Sequence, residues 1–189
     1  MTKINHTIIA CSFLLTLCLC RTIWINTSKD NDLSTANSVG QLQISSMDVT
    51  GWKQTAGPTG FCIFSASNFN LDVDGGDQLY IQNGLIEVAD QRVEGASGKQ
   101  LTSYCMDFGN EIAARKMFDI QKLSCSTLLN IPYYSDTVGI AGNVSGGKGY
   151  IYAHFKKFYI ELLFIGLQDQ TEVLQTASLF LDIYSSKIE

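Results

Sequence analysis

Asp72-Val-Asp-Gly-Gly-Asp-Gln-Leu-Tyr-Ile-Gln-Asn-Gly84 is the stretch from which the fold is read. Gly75 and Gly76 free the backbone for positive φ. Asp74 or Asp77 can cap a short helix through Leu79 and Tyr80, and Gly84 can close its last turn. The expectation is a sheet laid against that helix. Downstream, residues 85–93 read as a strand and 95–98 as a Gly/Ser loop. Residues 101–108 alternate, with Thr102, Tyr104, Met106 and Phe108 on one face and Leu101, Ser103, Cys105 and Asp107 on the other. The two strands make a hairpin.

Gly109 punctuates, and Asn110 caps a helix over 110–123 whose apolar stripe runs through Ala113, Met117 and Ile120. Residues 127–136 form a loop around Pro132 and 138–144 a strand. Residues 150–155 and 158–167 are strong strands joined at Lys156-Lys157. Phe158, Ile160, Leu162 and Phe164 share one face, and apolar Leu163 and Ile165 suggest that the far end is covered on both sides. Asp169-Gln-Thr-Glu172 has capping-box spacing and opens a last helix with Val173, Ala177, Phe180 and Tyr184 at helical intervals. Upstream, 61–64 is a short apolar stretch, either a strand or merely extended, and Trp52 in the lead-in lies over the core as a lid. Hairpins with interspersed helices give an α+β domain: a mainly antiparallel sheet packed by about three helices. Hairpin-then-helix occurs twice, at 85–123 and 150–187, as a loose internal echo.

Residues 8–19 of the 189-residue chain are a mostly apolar run after Lys3, the length of a signal-peptide core and short for a spanning helix. A cleaved signal, an uncleaved anchor and a lipid anchor all fit residues 1–25. Cys18 and Cys20 each follow Leu, where a lipobox wants a small residue. Residues 26–46, rich in Ser, Asn, Thr and Asp, read as a polar tether, leaving 47–189 as one globular domain. An exported, extracytoplasmic and membrane-anchored protein is the expectation. The chain carries a formal charge of −5; losing the first 25 residues removes Lys3 and Arg21 and no acid, so the body carries −7. An acidic body without a basic stripe excludes nucleic acid as a partner, because neutralising phosphates takes clustered Lys and Arg.

Two motifs approach known chemistry and miss it. Gly142-Asn-Val-Ser-Gly-Gly-Lys-Gly149 resembles a phosphate loop, but Gly149 stands where a Mg²⁺-holding hydroxyl is needed and a strand follows where a helix must open. Asp72, Asp74 and Asp77 begin like a calcium loop, but Gly76 holds position five and Asn83 position twelve. They remain a candidate irregular cation site; otherwise they cap the helix and face water.

Beyond the leader there is one histidine, His154, so a Ser–His or Cys–His pair would have to use it. Asp74, Asp77, Glu87, Asp107 and Glu161 are available carboxylates with nothing to pair them. Cys62, Cys105 and Cys125 lack zinc spacing. In an oxidising compartment Cys105 and Cys125 are the preferred disulfide, against the alternative of buried thiols. No cofactor is expected.

Asp74-Gly-Gly-Asp-Gln-Leu-Tyr80, then Gly84, two strands, Tyr104-Cys-Met-Asp-Phe-Gly109 and an Ala-rich helix ending near Phe118 resembles a poorly characterised family of exported bacterial proteins. Its members carry an Ile-(Asn/Asp)-Gly-Gly-Ala-Glu-x-Tyr signature, then a tyrosine strand and an Asp-Met-Gly turn. Here Val73 replaces Ile and Asp77-Gln78 replace Ala-Glu. The resemblance spans about residues 50–187 and implies export and an α+β fold; the family's activity is undefined, so it assigns no catalytic residue.

The leading expectation is a non-catalytic, membrane-tethered binding or assembly module with a protein partner in the envelope. Trp52, Tyr80, Tyr150 and Tyr152 are its candidate partner surface, aromatics being suited to interface cores. A small-ligand or cation-binding domain using 72–77 with Tyr80 and Tyr104 is the alternative. An atypical hydrolase around His154 or Asp107 is the third.

Overall fold

The computed structural model describes residues 36–56, 60–71, 77–125 and 139–189. The seven-stranded sheet, antiparallel in every pairing, is the organising element. Its strands are β1 (Trp52–Gln54), β2 (Phe61–Ser65), β3 (Glu87–Gly95), β4 (Gln100–Asp107), β5 (Gly139–Ser145), β6 (Lys148–Phe155) and β7 (Phe158–Ile165). The order is β1-β3-β4-β7-β6-β5, with β2 beside β1 on the same edge of β3. Among the described residues three α-helices complete the fold: α1 (Asp77–Gln82), α2 (Glu111–Lys122) and α3 (Gln170–Ile188).

Strand alternation divides the core into two layers. Leu101, Cys105, Ile151, Ala153, Phe158, Ile160, Leu162 and Phe164 face α3, meeting Val173, Ala177, Phe180, Leu181 and Tyr184. Val88, Met106, Ala141 and Tyr159 face the other way, towards α2 and α1, meeting Ala114, Met117, Phe118 and Tyr80. Each large apolar side chain fully buried here stabilises the fold by about 1.5–3 kcal/mol. Both long helices begin as the sequence predicts. Asn110 Oδ1 accepts from Ala113 N at 3.0 Å, and Asp169 Oδ1 accepts from Glu172 N at 2.9 Å. The Glu172 carboxylate reaches back to Gln168 N at 2.6 Å and also meets Lys99. Tyr184 is fixed by donating its buried hydroxyl to Ser103 Oγ at 2.9 Å. Gly139 is required by α2: a Cβ there would stand 2.3 Å from the Phe118 ring.

Several expectations are corrected. The 77–82 helix is only six residues, and its one buried side chain among those described is Tyr80; Gly84, at φ +96°, ends the turn after it. It is a small roof on the α2 side, so the sheet organises the helix and not the reverse. The tether does not extend to residue 46. Val39–Leu42 form a 3₁₀ turn, and Ala36, Val39, Leu42 and Ile44 are buried in the α3 layer. Gln91 anchors this stretch, accepting from Ile44 N at 2.8 Å and donating to Ile44 O at 2.5 Å. Ala36 N donates to Lys187 O at 2.8 Å. Polar composition hid four apolar residues at packing intervals.

The internal echo does not extend to packing. The two hairpins meet at β4 and β7, but α2 and α3 lie on opposite faces of the sheet. The far end of β7 is not covered on both sides, since Ile165 is 37% exposed. The leader, residues 1–25, and the loop 127–136 lie outside the described residues. Among the described residues no helix is long and apolar enough to cross a membrane.

Candidate functional site

The strand register sets side chains on the α2 face in rows across the sheet. One row runs His154, Tyr159, Met106, Val88, Phe64 and is roofed by the helix layer. The next runs Tyr152, Glu161, Tyr104, Asp90, and a third Asn143, Tyr150, Leu163, Thr102, Arg92. Roofing fades along this series. Tyr152, Glu161, Tyr104, Leu163 and Thr102 are half-buried, and Tyr150 is 50% exposed. Among the described residues this leaves an open half of a sheet face, rich in aromatic and aliphatic groups, beside the helices.

Glu161 sits where roof and open face meet. Its Oε1 accepts from Tyr80 OH at 2.7 Å and from Tyr159 OH at 2.8 Å. Gln121 Nε2 of α2 in turn donates to the Tyr80 oxygen at 3.4 Å. Two hydroxyls thus hold one carboxylate oxygen, and α2 braces one of them. Burial lifts the Glu161 carboxyl above the usual glutamate range, and the two hydroxyl bonds pull it part of the way back. Burial, followed by the Glu161 charge, pushes the phenols of Tyr80 and Tyr159 well above their ordinary range and that of Tyr152 up to about 12.

The other candidate groups have structural occupations. His154 is 2% exposed, its ring centroid 5.1 Å from that of Phe118, and its Nδ1 has no hydrogen-bond partner. Burial, then the nearby Arg115, lower its pKa and so favour the neutral ring. Asp107 accepts from Gly109 N at 2.7 Å and from Lys157 Nζ at 2.6 Å, bracing the turn into α2. Asp90 pairs with Arg92 at 3.2 Å.

Trp52, Tyr80, Tyr150 and Tyr152 do not form one surface. Trp52 lies on the α3 side as a lid, its ring 5.2 Å from Phe180 and perpendicular to it. Tyr80 is buried. Tyr150 and Tyr152 remain together on the open half. The disulfide pairing of Cys105 with Cys125 is overturned. Cys105 is buried on the α3 face, where burial pushes its thiol up to about 12, whereas Cys125 packs on the α2 face and donates its thiol to Gln121 O at 3.5 Å. The sheet stands between them, which chain proximity alone does not reveal. Asp72, Asp74 and the Asp77 side chain lie outside the described residues; among the described residues no group of three or more His, Cys, Asp or Glu is placed to hold a metal.

Glu161 was legible as one carboxylate among several. The signal that singles it out is its place as the lone charge of β7, on the strand face opposite Ile160 and Leu162.

No protein-family model matches the chain, and no curated protein matches it. Among solved structures, the extracellular domain of PknH from Mycobacterium tuberculosis is similar at 11% identity, with a TM-score of 0.46, over 77% of this chain and 94% of that one.

Proposed function

We propose that the chain is a non-catalytic, exported and membrane-tethered binding or assembly module of the cell envelope, binding through the open half of its α2-side sheet face. The observation that carries the reading is the run of Tyr150, Tyr152, Leu163 and Thr102, left without a helical roof among the described residues, in a fold whose other sheet surface is packed by α3. Export and tethering rest on the apolar leader at 8–19. The resemblance to exported bacterial proteins points the same way. A small-ligand version of the same module is favoured by the Glu161 cradle on the sheet.

The test is purification of the tagged full chain in mild detergent, with mass spectrometry of the mature N-terminus and of co-purifying molecules. Leu163→Glu, which puts a charge on the open half, is expected to lose the company that the unsubstituted chain keeps while retaining its melting temperature. Identical company for both, or a chain recovered free in the cytosol, overturns the reading.

A further inference from the structure

The phenolic protons of Tyr80 and Tyr159 are both committed to one oxygen of Glu161, its Oε1. Among the described residues nothing is hydrogen-bonded to Oε2, and Glu161 as a residue is half-buried. Tyr152 and Tyr104 stand directly across from Glu161 on its two neighbouring strands, on the same face. Tyr150 and Leu163 occupy the next row, towards the open half. The place therefore offers a negative acceptor between aromatic side chains.

That combination selects a donor-only cation. An ammonium gives three N–H donors and needs no donor in return. Its hydrogen bond to a carboxylate is charge-assisted, and aromatic faces attract it further. The body's charge of −7 draws cations and repels carboxylates. Calcium is a poorer match, because it takes six to eight oxygen ligands and this carboxylate presents one free oxygen. A half-buried carboxylate that pairs with no cation among the described residues gains from a bound one.

We propose that Glu161 Oε2, between Tyr152 and Tyr104, binds the primary ammonium group of a small organic ligand that enters over Tyr150 and Leu163. The proposal rests on the reading of this face as the binding surface.

The test is calorimetric titration of the full chain in mild detergent, at constant ionic strength, with butylammonium, tetramethylammonium, butyrate, N-acetylglucosamine and calcium. Saturable butylammonium binding in about the millimolar range is expected. Glu161→Gln is expected to weaken it at least about tenfold, the scale of a lost charge-assisted bond. Tyr152→Leu, a second variant that leaves the carboxylate in place, is expected to weaken it several-fold; both variants should melt cooperatively. Tetramethylammonium, which has no N–H, should bind more weakly, and butyrate not at all. No saturable butylammonium binding up to about 100 mM overturns the proposal. So do equal binding by Glu161→Gln, or calcium or N-acetylglucosamine binding in its place. Those last outcomes leave the open face as a binding surface, whereas an unchanged set of partners for Leu163→Glu removes the face itself.

Discussion

Gln91→Ala tests whether the first described stretch belongs to the folded body. Gln91 is 3% exposed, and its amide both accepts from and donates to the backbone of Ile44, itself 2% exposed. Each hydrogen bond contributes about 0.5–1.5 kcal/mol net, and a buried backbone group left unsatisfied costs about 1–3 kcal/mol. Water entering the vacated space offsets part of that. The expected loss is therefore about 2–4 kcal/mol. With a urea slope of about 2 kcal/mol per molar, the unfolding midpoint should fall by about 1–2 M. Trp52, on β1 and against Phe180, provides a fluorescence signal from the body. Amide exchange at Ile44 should accelerate with the loss. A loss under about 0.5 kcal/mol with Ile44 exchange unchanged would refute the reasoning. Residues 36–46 would then be a tether after all.

Other outcomes follow from single contacts. Tyr184→Phe removes the buried bond to Ser103 and should cost about 1 kcal/mol in chemical unfolding. Gly139→Ala drives a methyl into the Phe118 ring and should cost about 1–3 kcal/mol, read as a lower melting temperature. His154 has its folded pKa lowered from the ordinary 6.5, so the unfolded chain binds more protons there. The unsubstituted protein should lose stability as pH falls below about 6.5, and His154→Leu should flatten that loss. Glu161 has its folded pKa raised from the ordinary 4.5, so the folded state holds the proton longer and loses stability as pH rises through that range. Glu161→Gln should accordingly be more stable than the unsubstituted chain at pH 7, with the gap closing towards pH 4. Peptide mapping without reductant should recover Cys105 and Cys125 unlinked to each other.

The elements that alternate or cap were readable because their signals are local. Asn110 and Asp169 announce their helices by spacing, and the 101–108 alternation assigns each side chain to the face it occupies. Long-range facts were hidden. Nothing in the spacing of Cys105 and Cys125 says that the chain passes round the sheet between them. The anchoring of 36–46 depends on Gln91, 47 residues beyond Ile44. The Glu161 cradle draws Tyr80 from α1, Gln121 from α2 and Tyr159 from its own strand, so only folding gathers it. Tyr80 attracted notice as a surface aromatic, whereas its hydroxyl is an internal bond to Glu161.

The claim that the open sheet half meets a binding partner outside the cytosol is met most directly by photo-crosslinking in intact cells. A photoreactive residue replaces Tyr150, and a control replaces Ile112, 83% exposed on α2. The account predicts an extracytoplasmic adduct from position 150 that position 112 does not give. The same adducts from both positions, or adducts only with cytosolic molecules, would contradict it.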